Sequence, residues 1–490
     1  MAPFRMSLQP SKGVRGAAAA PGHPSSPGNL ARDSLGRMTP GRRRSLIGAF
    51  ATFAVFTALA GQFWRNLLGW WGFGAIALLV IVAAVVIVIS ERPTWQWRRV
   101  PKSTIAFLLV AAASIAWSAY PAVSAIAVLI TLATTFVAVT LVLVLGWTRF
   151  MRCLGGAIKW ILSLSLAFEL VVAIFVRRPV IPFFPDFDPD EGKLPMAFYW
   201  SRALLFDGGP IEGIVANRNL LAMIALLGLI VFGTLLAAGS MRRAQGVGWL
   251  IVAGVVMVLT RSATVTLVAV LVLIALGFAL WARRVGPDRR RVVYFAAGGA
   301  LVASVTLLVV FWEQLLAAFG KSEDVTGRFD IWSAVVGLAV ERPWFGWGWV
   351  SYWAPWVEPF DGLAVRKGVQ YLQAHNAWLD VWLQLGILGI IAFASIVIGA
   401  LWRSWFLAVD RPVDRSGQSL PHSAAALAPL LLLVALIGQS LAESRILIEG
   451  GWLLLIVVAW STKQRQWTHE PLPAEQPPLP ARRRRPEEAR

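Results

Sequence analysis

Leu68–Ser90 reads LGWWGFGAIALLVIVAAVVIVIS, a block without one charged residue. A bilayer core of ~30 Å is crossed by roughly 20 apolar residues rising ~1.5 Å each in a helix. A core helix of a soluble protein would place a polar residue on its outer face every third or fourth position. Leu68–Ser90 has no such face. It is long enough to span a membrane and has no means of facing water.

Blocks of the same kind recur on both sides of it. The expected spans are Leu46–Trp64, Leu68–Ser90, Ser103–Ala119, Ala122–Leu145, Ala157–Val176, Asn219–Ala238, Gly246–Thr260, Ala263–Trp281, Val292–Trp312, Ala377–Trp402, Ala424–Leu441 and Leu447–Ser461. The fold class expected is therefore all-α: a polytopic integral membrane protein of about 12 helices, with a long structured extracytoplasmic loop before the tenth. Composition agrees, with 57% hydrophobic and 14% charged residues.

The formal net charge of +19 could suggest nucleic acid as a partner. The distribution argues against that reading. Basic residues gather in alternate short loops, as at Arg98/Arg99/Lys102, Arg149/Arg152, Arg242/Arg243, Arg289/Arg290/Arg291 and Arg411/Arg415, and in the two tails. Cytoplasmic loops carry such an excess of Lys and Arg. The expectation is the inner membrane, with both termini cytoplasmic and the bilayer itself as a partner. Residues 1–45 and 463–490, rich in Pro, Gly, Ala and Arg, read as disordered basic tails around a membrane domain at 46–462. The first is not a cleavable signal, because a span-length block and further spans follow it. The single cysteine, Cys153, excludes an intrachain disulfide, and no sequence repeat of the inverted-repeat transporter kind is found.

Two long loops fall on the outer side, at 177–218 and 313–375. The second contains TGRFDIW (Thr326–Trp332), ERPWFGWGWVSYW (Glu341–Trp353) and the start of QAHNAWLDVWLQLGILG (Gln373–Gly389). A loop of ~60 residues without structure is improbable in a compact protein. Ile331–Val340 reads as a short helix stopped by Pro343, and the neighbouring tryptophans suit a membrane interface.

His375 is the one histidine expected outside, at the mouth of a span and followed by Asn376. Imidazole suits general-base work near neutral pH, although a hydrogen-bonded interfacial histidine would look the same. Arg328 offers a planar fork that matches phosphate oxygens, or it snorkels at the interface. Arg261, in VLTRSATVTL, lies between two apolar blocks where charge is costly. GIVANRNLLA (Gly213–Ala222) opens a span with Asn217, Arg218 and Asn219. A polar helix cap fits there, with Asn219 in that role, and so does an anion site at a helix start. No P-loop, GxSxG, HExxH or cysteine pair is present.

In this order the motifs resemble the O-antigen ligase and O-antigen polymerase superfamily of bacterial envelope glycosyltransferases. GIVANRNLLA resembles that family's Asn-rich helix start. TGRFDIW with RPWFGWGW resembles its TGR-x-x-x-W and P-x-x-G-x-G pattern, and AHNAWLDVWLQLGILG its HN-x-x-L…G-x-x-G pattern. Many members carry a Ser-Arg pair before the eighth span. Here Thr260-Arg261-Ser262-Ala263 departs from it, which favours polymerase over ligase.

The resemblance implies transfer from an undecaprenyl-diphosphate-linked oligosaccharide donor to a glycan acceptor, alongside other polysaccharide-assembly membrane proteins. No cofactor or metal is expected. His375 and Arg328 would be catalytic, and Arg261, Arg218, Asn217 and Asn376 would bind substrate. A transporter or flippase is the competing reading. It needs polar groups buried in the spans, for which Glu169 is a candidate. A protein-glycosylating relative would differ only in its acceptor.

Overall fold

The computed structural model describes residues 39–185, 187, 194–311, 314, 323–366, 369–414, 416–466 and 472–473. Most of both tails, most of the acidic part of FPDFDPDEGK, and the junction after the ninth expected span lie outside the described residues.

The chain is built almost wholly of helices: α1 Pro40–Leu59, α2 Gly61–Glu91, α3 Lys102–Ala113, α4 Pro121–Leu145, α5 Trp147–Val171, α6 Arg218–Ala237, α7 Arg243–Leu259, α8 Ala263–Val310, α9 Glu323–Ala339, α10 Ala377–Val409, α11 Ala428–Ser440 and α12 Glu449–Arg465. One two-stranded hairpin, β1 Val365–Arg366 with β2 Val369–Gln370, lies between α9 and α10. Among the described residues, six helices are long and apolar enough to cross a membrane: Gly61–Glu91, Pro121–Leu145, Trp147–Val176, Arg218–Ala237, Ala263–Ala303 and Ala377–Val409. Shorter apolar helices are Lys102–Ala116, Arg243–Leu259 and Ala424–Ser440.

The eighth and ninth expected spans join in one helical run, α8. Gly286 breaks it with φ 73° and ψ 175°, immediately before Pro287. A glycine at positive φ ends one helix, and proline opens the next at a position where a missing N–H costs nothing.

Side-chain burial sorts the helices. α6, α11 and α12 are apolar on all sides and buried in the middle of the bundle, as Leu221–Leu227, Leu430–Leu433 and Leu453–Ala459 show. α2 and α8 leave Leu78, Leu79, Val82, Leu267, Leu273 and Leu301 exposed. Water would penalise those surfaces and lipid does not, because acyl chains are as apolar as leucine.

α9, the hairpin and the turns between them carry a second apolar cluster. Ile331, Val335, Val350, Trp353 and Phe360 pack there with Tyr120 and Leu383. This layer is locked into a break in α10. Gly386 has φ +66° and Gly346 φ +67°, and a Cβ on either would collide with the backbone of the other segment. The carbonyls of Pro343 and Trp344 accept from the N–H groups of Ile387 (2.9 Å) and Leu388 (3.3 Å). Trp347 and Gly348 N–H donate to Leu383 and Gln384 O. The glycines of WFGWG and LQLGILG are thus two halves of one contact.

The helix expected at Ile331–Val340 begins earlier, at Glu323, so TGRFDIW lies within it. Between Glu323 and Pro343 the only weak helix formers of the breaking kind are Gly327 and Gly337, and isolated internal glycines are tolerated.

Candidate active site

The turn between α11 and α12 carries Glu443, a carboxylate with three other elements gathered on it. His375 Nδ1 lies 2.9 Å from its Oε2, and Gln373 Nε2 donates to the same oxygen at 3.4 Å. Oε1 accepts from Arg328 Nη2 at 3.3 Å and Asn219 Nδ2 at 3.4 Å. Burial opposes charge on this carboxyl. The attraction and hydrogen bond of His375, then the charges of Arg328 and Arg445, outweigh it and hold the group at about 2. At neutral pH Glu443 can only accept. Nδ1–H of the imidazole is the donor that this carboxylate can accept, and in the tautomer that carries it the lone pair lies on Nε2. The side chains of His375 and Arg328 stay 17% and 20% exposed against 9% for Glu443, so an outside molecule can reach the first two more readily than their anchor.

His375 has φ +50°, a left-handed conformation uncommon for residues other than glycine. Ala374, before it, is fixed twice. Its N–H donates to Asp380 Oδ2 (2.9 Å), and its carbonyl accepts from Trp332 Nε1 (2.9 Å). Asp380 is fully buried, takes the indole N–H of Trp353 at 2.8 Å, and accepts from Ser444 Oγ beside Glu443. Asn376, after the histidine, caps α10 by accepting from Trp378 and Leu379 N–H. The Arg-x-x-x-Trp spacing in α9 now has a physical meaning. Positions i and i+4 share a helix face, so Trp332 binds the backbone next to His375 while Arg328, one turn away, reaches the glutamate that His375 binds.

The remaining expected residues flank this network. Ser262 Oγ donates to Asn219 Oδ1 (2.8 Å), which links the α7–α8 turn to α6 and through Asn219 to Glu443. Arg261 precedes Ser262, and Arg218 precedes Asn219. Arg261 is exposed with φ +49°, and its guanidinium lies beside Gly208 of the loop between α5 and α6. Arg218 is half-buried, and its charge reaches Glu212. Asn217 caps α6 by accepting from Leu220 N–H at 2.9 Å. The cap expected of Asn219 is therefore made by Asn217, whose extended backbone suits the position. Asn219, already in the helix, turns its amide to Glu443 and Ser262.

Glu443, Gln373, Asp380 and Ser444 were not among the residues singled out from the sequence. The available signal was a short polar run, QSLAESR (Gln439–Arg445), between the last two apolar blocks.

Glu169, near the end of α5, is 2% exposed. Its Oε1 accepts from the backbone N–H of Glu212 (3.0 Å) and Gly213 (2.7 Å), and its Oε2 from Ser201 Oγ (2.8 Å). It fastens the α5–α6 loop to the bundle. In that loop Glu212 pairs with Arg202 at 2.9 Å. Burial nevertheless dominates and pushes the Glu212 carboxyl up to about 7.

Residues 246–394 match the protein family described as O-antigen ligase. The segment covers α7, α8, α9 and the first half of α10. It contains Arg261, Arg328, His375 and Asn376, while Arg218, Asn219 and Glu443 lie outside it. The exopolysaccharide production protein ExoQ of Rhizobium meliloti (strain 1021) is 28% identical over 207 residues, which are 39% of this chain and 46% of that protein. The match spans just under half of that relative. Both findings support the resemblance carried by the motifs: this membrane chain is similar to the O-antigen ligase-like superfamily.

Proposed function

We propose that this chain is a membrane glycosyltransferase of surface polysaccharide assembly that polymerises undecaprenyl-diphosphate-linked oligosaccharide units on the outer face of the cytoplasmic membrane. The observation that carries the reading is one buried carboxylate, Glu443, bonded to both an imidazole and a guanidinium. His375 is the base, Glu443 its positioning partner, and Arg328 the first phosphate clamp, with Arg261 and Arg218 around it. The topology is the twelve-span one, with both termini and the arginine-rich loops cytoplasmic.

In the reaction an acceptor hydroxyl attacks the anomeric carbon of the donor sugar. Its proton passes to His375 Nε2, and the bond from that carbon to the diphosphate oxygen breaks. The electron pair leaves with the lipid diphosphate. A sugar hydroxyl is a poor nucleophile near neutral pH, and a positioned base typically contributes ~100- to 10,000-fold. Charge grows on the leaving diphosphate, so guanidinium groups placed against it favour the transition state over the bound donor. Arg328 rests on Glu443, and the donor diphosphate draws it away to the stronger anion. Exposed Trp344 and Trp356 offer faces on which sugar rings stack.

The turn Thr260-Arg261-Ser262 and the similarity to an exopolysaccharide production protein favour polymerase over ligase. The transporter reading loses its candidate, since Glu169 is fully bonded by a loop. Deleting the encoding gene and examining the surface glycan tests the proposal. Loss of long chains with single repeat units left supports polymerisation. Intact polymer retained on the lipid carrier supports ligation. Unchanged glycan with lost solute uptake overturns both.

A further inference from the structure

At the far end of α6 from the Glu443 network, the described residues leave a cleft of about 760 Å³ between α5 and the α6–α7 turn. α6 has 20 residues, so at ~1.5 Å each the two sites stand roughly 30 Å apart, one bilayer core. Arg152, Lys159, Arg242, Ser240 and Gln245 line the cleft with Gly155, Met241 and Ala244, and no acidic residue is among them. Lys159 Nζ is held over the rings of Trp249 (5.4 Å) and Phe232 (5.8 Å), which fixes that ammonium in the wall. Ser240 Oγ is buried without a hydrogen-bond partner among the described residues. α7 starts at this rim with no side-chain cap and no acidic residue in its first turn, which leaves its first N–H groups facing the same space.

Below the rim, Val247, Ile251 and Val255 are exposed. Their spacing of four places them on one outer face of α7, running along the helix away from the cleft. A soluble anion has no use for an apolar stripe leading away from its charge site, whereas a lipid with an anionic head does. We propose that this cleft binds the phosphate headgroup of an anionic glycerophospholipid in the leaflet opposite the Glu443 site, with an acyl chain along the Val247–Ile251–Val255 face. Basic pockets between spans hold anionic headgroups by the same physics. The proposal uses the membrane-spanning reading of α6 and is independent of the glycosyltransferase reading.

The test uses the full chain in detergent micelles, mixed with phosphatidylglycerol or phosphatidylcholine, with bound lipid counted by native mass spectrometry. Phosphatidylglycerol should be retained over phosphatidylcholine. Retention should fall about fivefold for each charge removed in Arg152→Ala and Arg242→Ala. Lys159→Gln, which keeps part of the side-chain stem against the two rings, covers the case in which an alanine there unfolds the bundle. Arg98→Ala/Arg99→Ala, which removes the same charge elsewhere, should leave retention unchanged. An equal loss in that control, or no loss in the cleft variants, overturns the site. Displacement of the lipid by millimolar inorganic phosphate would show an anion site without lipid character and overturn the acyl-chain part.

Discussion

Two buried glutamates, Glu169 and Glu443, have similar burial and opposite company. Glu169 is held by two backbone N–H groups and a serine from a single loop. Nothing that bonds it can carry a charge or exchange a proton at neutral pH. Glu443 is held by an imidazole, a guanidinium and two amides drawn from three other elements. The first arrangement closes a loop onto a helix end. The second fixes two reactive groups relative to each other and leaves both partly open to the outside. Burial alone therefore does not separate the two carboxylates, whereas the chemistry of their partners does.

The contrast fails if the Glu443 side of the molecule tolerates substitution. With purified protein and a lipid-diphosphate oligosaccharide, His375→Gln should lose transfer by ~100- to 10,000-fold, followed as chain growth on gels. Donor binding should survive. Full elongation would leave electrostatic activation by the arginines as the only chemistry available.

Arg328→Ala should cost roughly a hundredfold to a thousandfold in rate, as expected for one transition-state contact. Arg328→Lys should recover little, because an ammonium does not reproduce a planar fork. Normal polymer length in Arg328→Ala would remove this residue from the mechanism.

On the other side of the comparison, Glu169→Gln should leave turnover close to wild type. It should destabilise the protein by about 1–3 kcal/mol, because an amide cannot accept from all the donors that the carboxylate satisfies. Thermal unfolding in detergent measures the second effect. A rate loss as large as that of Arg328→Ala would put both glutamates in the same role.

The smallest effect expected is a pH dependence in the α5–α6 loop. The Glu212 carboxyl is raised to about 7 by burial. Its contribution to packing is therefore fully present below the usual carboxylate range and is lost as pH rises through about 7. Backbone hydrogen exchange across residues 196–216, corrected for intrinsic rates, should speed up over that window. In Glu212→Gln the window should disappear. An unchanged dependence would assign the effect to another group.

The helices were legible in the sequence because apolar blocks and their breakers are local signals. Leu68–Ser90 falls inside α2, and Gly286-Pro287 separates the two halves of α8. The start of α9 was misjudged because a helix without a strong breaker runs back to its acidic residues. Half of the candidate site's residues were legible for a different reason. His375 and Arg328 stand in recognisable motifs, but Glu443 lies 68 and 115 positions from them and 224 from Asn219. No local periodicity carries contacts at those separations, and only the packing of α9 on α10, of α10 on α11 and of α11 on α6 brings them together. The cap at Asn217 was missed by two positions, since either asparagine suits a helix start and only the backbone conformation tells which one caps.

The direct measurement is a double-mutant cycle between His375 and Glu443, read as the rate of glycan transfer. A hydrogen bond to a charged group is worth about 1.5–3 kcal/mol, so Glu443→Gln alone should slow transfer roughly tenfold to hundredfold. If Glu443 acts by holding His375, the same substitution made on His375→Ala should cause little further loss, because the interaction it would remove is already gone. If the two losses simply multiply, Glu443 does not work through the imidazole, and the triangle of His375, Glu443 and Arg328 is not the working unit of this protein.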